Sequence, residues 1–257
     1  MVDEHKSERI GPLQSQVVIT LHTIQAKKLW EGRKATDPKK HNTIIGLPGF
    51  ISYLNAIHFT SGFDDPYADW ALIRVEEKYI SSKKELATLA EAIDKLFKDI
   101  PKQISVSDNL NINPVKFMLV SKSPLGFKGI YLLADYDELI RKIHQLRHIS
   151  LIGRTNSENL INEGSKIMRS FYSSLQSYKN AGVSRDDIAA NNARARQTIE
   201  KFGLPPKDIL EGIKRSEFAP VIHKRKLINS ETIIDDKKDE HFSSDQEENA
   251  HPDQDEN

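Results

Sequence analysis

Cysteine is missing altogether from the 257 residues. That excludes disulfides, thiolate zinc sites and cysteine nucleophiles, and it fits a reducing compartment. No apolar run approaches the length needed to cross a bilayer. The opening MVDEHKSERIGPLQ has no apolar stretch of the kind a signal peptide needs. The chain therefore reads as cytoplasmic, with no membrane partner. The phosphate-cradling GxxxxGK[ST], the GxSxG elbow, HExxH and GxGxxG are all absent, which together argue against an enzyme. No cofactor is expected.

What is present is charge, unevenly placed. The whole chain holds 37 basic and 37 acidic residues, but residues 229–257 contain 11 acidic against two basic, Lys237 and Lys238. Residues 1–228 are left with 35 basic and 26 acidic, a balance of +9. A basic body with an acidic tail points to a polyanion partner, with the tail competing for the same surface. Solubility alone is the competing explanation.

The expected organisation is a flexible arm (1–14), one α+β domain (15–222) and a basic-then-acidic disordered tail (223–257). QVVITLHT (16–23) alternates and is rich in β-branched residues, so it reads as a strand. It runs into a short helix at 24–32, with Ala26, Leu29 and Trp30 on the apolar side and Gly32 as C-cap. After a polar loop (33–43), 44–59 reads as a helix starting near Pro48. The longest helix, about 66–98, opens on an Asp65 N-cap and Pro66, with Asp69 adding negative charge to the first turn. Segments 103–107, 115–121 and 129–134 read as strands, the last two as a hairpin around SPLGFKG. Helices follow at about 136–149, 157–179, 184–202 and 206–215. The fold class is therefore α+β and mostly helical: a small antiparallel sheet, a long helix and a C-terminal helical segment.

Two clusters invite chemical readings. His144 and His148 share a helix face, as metal pairs do, but no third ligand sits at a convincing spacing and a cationic helix face is preferred. Asp64, Asp65 and Asp69 could bind magnesium or act as acid and base, yet helix capping accounts for them more simply.

The first strand offers a nucleic-acid reading. Val17, Ile19 and Leu21 form a face that can be buried, while Gln16, Val18, Thr20 and His22 face the other way. A strand followed by a helix with Lys27 and Lys28 opens a ribbon-helix-helix unit, in which strands from two chains enter the major groove. Gln16, Thr20 and His22 are then the base readers, and Lys27, Lys28, Arg33 and Lys34 the phosphate contacts. An edge strand with one solvated face explains the same alternation. A second candidate is the helix opening at Arg154 and Thr155, with Asn156 and Ser157, where hydroxyls and backbone N–H groups suit a phosphate; ordinary capping competes here too. NNARARQTIEKFG (191–203) and HKRK (223–226) add further positive charge.

The runs ITLHTIQAKKLWEGR (19–33), IIGLPGF (44–50), DDPYADWALIRVEE (64–77), SPLGFKGIYLLADYDELIR (123–141), GVSRDDI (182–188) and ARARQTIEKFG (193–203) occur in that order. Together they resemble the AcaB-type family encoded by integrating conjugative elements and conjugative plasmids, over roughly residues 15–222. The resemblance implies a dimeric, DNA-binding transcriptional activator of transfer genes, grouped with ribbon-helix-helix proteins and partnered by double-stranded DNA and the transcription machinery. It supplies no base-contacting residues. An accessory or structural protein of the conjugation apparatus is the alternative.

Overall fold

The computed structural model describes residues 17–34, 43–176 and 178–223. All of them lie in the compact unit that ends at His223. Gln16, the expected arm and the acidic tail fall outside the described residues.

The chain begins with β1 (Val17–Leu21) and α1 (Ile24–Glu31). Thr23 caps α1 by accepting from the Ala26 N–H, and Gly32 ends it at φ 70°, a backbone region that only glycine enters freely. The chain then crosses close to itself: a Cβ on Gly46 would collide with the backbone of Trp30 to Gly32. The helices α2 (Leu47–Ser61), α3 (Pro66–Leu96), α4 (Pro124–His148) and α5 (Arg154–Ser173) follow and pack on one another. Their shared interior holds Phe50, Leu54, Leu72, Leu132, Tyr136, Ile143, Met168 and Phe171, all essentially inaccessible to water. Burial of that apolar surface is the main stabilising term. α1 lies against α4, α2 and α5.

Among the described residues the sheet has two strands. β1 pairs antiparallel with β2 (Val115–Leu119), setting Val17 opposite Leu119, Ile19 opposite Phe117 and Leu21 opposite Val115. The inward side is closed by Trp30, which stacks on Phe117 with ring centroids 4.3 Å apart. A ribbon-helix-helix unit would take the partner of this strand from a second chain, whereas here the ribbon is formed within one.

Several expected elements are corrected. Residues 129–134 are not a strand but belong to α4, so the hairpin around SPLGFKG does not form. As a helix it turns Gly129, Ile130, Leu132 and Leu133 inward, while Tyr131 and Ala134, apolar in type, stand exposed. Residues 103–107 form no strand either; only Val106 among them is even half-buried, so no apolar face ties them to a sheet. The helix expected at 184–202 is broken into α6 (Arg185–Ala189) and α7 (Ala193–Phe202) at Asn191, where φ is 50°. Asn192 starts the new helix by accepting from the Ala195 N–H. The last helix shrinks to α8 (Lys207–Leu210).

Candidate nucleic-acid interface

The ribbon has the two-faced character its alternation requires. Ile19 and Leu21 are buried, while Val18 is 52% exposed and Thr20 stands in solvent. The antiparallel register adds two residues to this outer face: Met118 lies opposite Val18, and Lys116 opposite Thr20. Met118 is 61% exposed. Neither was singled out from the sequence, because β2 lies nearly a hundred residues from its partner and local patterning carries no pairing information. The signal was nevertheless there, in the alternation of VKFML.

His22 sits just past the strand and is half-buried. Its Nδ1 accepts from the Asn111 N–H at 3.1 Å, and its carbonyl accepts from the Asn111 side chain. Nε2 is its remaining polar ring atom. The turn from β1 into α1 is fixed by Asp137 of α4, a buried carboxylate that accepts from the His22 N–H at 3.0 Å, the Thr23 N–H at 2.9 Å and the Thr23 hydroxyl at 2.7 Å. Three hydrogen bonds to one charged group hold the corner between ribbon and helix, which makes Asp137 a positioning residue for both. Beside it runs a groove of about 320 Å³ between the start of α1, residues 109–111 and α4, bordered by Arg141 and His144.

The cations around the ribbon fall into two groups. Lys27 reaches Glu31 at 3.4 Å, an exposed pair one helical turn apart that contributes little. Lys28, Arg33, Lys34, Lys116 and Lys122 are exposed and have no salt-bridge partner among the described residues. Arg33 is anchored by its backbone, which exchanges two 2.8 Å hydrogen bonds with Ile44. Arg154 and Thr155 are exposed at the α4–α5 corner, with Arg154 paired to Glu158 at 2.7 Å. α5 packs on α1, α3 and α4 and is capped by Gly153 without a side-chain hydrogen bond. Thr20, His22, Lys27, Lys28, Arg33 and Lys34 are contiguous in the chain from β1 to just past α1, and Arg154 and Thr155 open α5.

The two chemically suggestive clusters have structural partners. Gln25 and His144 are 3.4 Å apart, and burial, with Arg147 nearby, lowers the pKa of that histidine. Among the described residues no group of three His, Asp or Glu side chains is arranged to hold a metal. Asp65 caps α3 by accepting from the Tyr67 and Ala68 N–H groups. Asp69, fully buried, accepts from Ser61 at 2.5 Å, Arg185 at 2.7 Å and Arg215 at 2.9 Å. Arg185 also holds Asp64 and the carbonyls of Ile209 and Leu210. These carboxylates are a clasp that ties the C-terminal segment to the α2–α3 corner.

Among the described residues, no helix is long and apolar enough to cross a membrane. No curated protein matches the chain. Among solved structures it is similar to the selenomethionine-containing AcaB from uropathogenic E. coli, at 11% identity and a TM-score of 0.50, covering 78% of this chain and 98% of that one. Identity that low speaks for a shared fold alone. Residues 9–223 match the family described as "Transcriptional regulator AcaB", a span that takes in every described residue. The chain belongs to the AcaB family of transcriptional regulators.

Proposed function

We propose that this regulator binds double-stranded DNA through the β1–β2 ribbon and activates transfer genes of a conjugative element as a homodimer, acting in the cytoplasm on the transcription machinery. The observation that carries the reading is the outer ribbon face, where Thr20, Lys116, Val18 and Met118 stand in solvent next to a run of unpaired cations. The major groove is wide enough for a two-stranded ribbon, and its base edges offer hydrogen-bond groups and thymine methyls that suit a hydroxyl, an ammonium and two apolar side chains. Lys27, Lys28, Arg33 and Lys34 would contact phosphates and set the register, while Thr20, with His22 and Gln16, would read bases.

Gel-shift titration against promoters of the element's transfer genes tests this. Thr20→Ala is expected to narrow the gap between promoter and random DNA, and Lys116→Ala to weaken both. Equal affinity of the unaltered protein for promoter and random DNA would contradict it.

The exposed Val18 and Met118 also favour a second reading, an accessory protein of the conjugation apparatus that works by protein contacts. Co-purification with relaxosome or secretion components, without any effect on promoter activity, would be its mark.

A further inference from the structure

A cleft of about 350 Å³ lies between residues 43–45 and the second half of α5. Thr43, Lys166, Arg169, Ser170, Tyr172 and Gln176 are among the residues that border it, and among the described residues no carboxylate does. Lys166 and Arg169 are one turn apart on the same helix face, both exposed, and neither has an ion-pair partner among the described residues. Elsewhere basic side chains on helices do find acids one turn away, as Lys27, Lys142, Arg154 and Lys207 show. Lys166 and Ser170 also border the neighbouring groove against α3, which Glu85 and Glu163 line, but neither acid forms an ion pair with Lys166. The helix dipole does not account for the two cations. Its attraction fades within the last turn, and α5 carries no basic residue there.

The opposite wall connects the cleft to the segment already described. Arg33 pairs with Ile44, which borders the cleft. The hydroxyls of Thr43 and Ser170 join the two cations of α5 at the cleft. A tetrahedral anion is the ligand that such a set of donors fits. The cleft has room for more than a bare phosphate.

We infer that this cleft is a phosphate site, with Lys166 and Arg169 as its cations. The phosphate is a backbone phosphodiester of the bound duplex, so that α5 extends the DNA contact beyond the ribbon; this identification rests on the DNA-binding reading. A free phosphate compound shares the chemistry and is the other source.

The experiment compares the full chain with a Lys166→Ala/Arg169→Ala variant. Both side chains are exposed, so the variant is expected to fold, with an unchanged circular-dichroism melt as the check. One arm follows affinity for a short mixed-sequence duplex across a salt series. The other titrates inorganic phosphate at constant ionic strength by calorimetry. For a phosphodiester, the variant binds the duplex more weakly and its log–log salt slope is shallower by about 2, near one unit per lost contact. Saturable one-to-one phosphate binding that the variant loses, with duplex binding unchanged, also supports the site and assigns it to a free phosphate compound. If both proteins bind duplex alike and neither binds phosphate, the site is overturned while the DNA-binding reading stands. If neither protein binds duplex, that reading falls and the phosphate arm alone decides the site.

Discussion

At the α2–α3 corner, Asp69 is wholly inaccessible to water and two arginines from the C-terminal segment take up its oxygens. At the ribbon, Lys28, Arg33, Lys34 and Lys116 stand in solvent with no acid within ion-pair distance among the described residues. The same residue types do opposite work in the two places. A buried pair cannot be broken cheaply, because removing one partner strands the other charge in a medium that solvates it poorly. An exposed unpaired cation costs the fold little and stays available to a phosphate. The clasp is architecture; the ribbon edge leaves its cations exposed.

The clasp should show the largest effect. Asp69→Ala leaves Arg185 and Arg215 largely buried without their main anion and is expected to cost about 3–5 kcal/mol in urea unfolding. Duplex affinity per folded molecule should not change. A loss of DNA binding larger than the loss of folded protein would break the division between the two regions.

Next comes Asp137, which joins the core to the ribbon. Asp137→Ala removes the acceptor for three hydrogen bonds at the β1–α1 turn. A cost of about 2–3 kcal/mol is expected, read by the same unfolding measurement. Unlike the clasp variant, it should also lower discrimination between promoter and random DNA, because the ribbon loses its fixed angle to α1.

A smaller, pH-dependent effect belongs to Asp65. Burial raises its pKa from 3.8 to about 6 despite the hydrogen bonds from Ala68 and Tyr67. The folded protein therefore holds this proton more tightly than the unfolded chain, and the contribution to stability declines as pH rises from about 4 to 6. Asp65→Asn keeps an oxygen to cap α3 and carries no charge. Relative to the unaltered protein, the variant should gain about 2 kcal/mol between pH 4 and pH 7, measured by thermal unfolding at each pH. A constant difference across that range would contradict the assignment.

The legible parts of the fold were those written in neighbouring residues. Asp65–Pro66 announced the start of α3, Gly32 the end of α1, and the alternation of 17–21 the strand. The beginning of α4 was not legible because exposed Tyr131 and Ala134 complete an unbroken apolar run with the buried Ile130, Leu132 and Leu133, and such a run does not distinguish a helix from a strand. Ser123–Pro124 repeats the opening of α3 and was the available signal, but Ser123 makes no side-chain cap and the glycines at 126 and 129 suggested a turn. Those glycines instead allow close packing: a Cβ on Gly129 would press on Leu47 and Phe50. For the candidate interface, the segment 20–34 was legible because its residues are contiguous. Lys116, Met118 and Asp137 were not, since only folding brings them to β1.

The claim that DNA meets the ribbon side is tested most directly by comparing two pairs of exposed lysines in one salt-series binding assay. Lys27→Ala/Lys28→Ala alters α1, and Lys207→Ala/Lys214→Ala alters the C-terminal segment near the clasp. The first pair should weaken duplex binding and make the log–log salt slope shallower by about 2, while the second leaves both unchanged. Equal losses from the two pairs, or a larger loss from Lys207 and Lys214, would place the DNA elsewhere on the molecule.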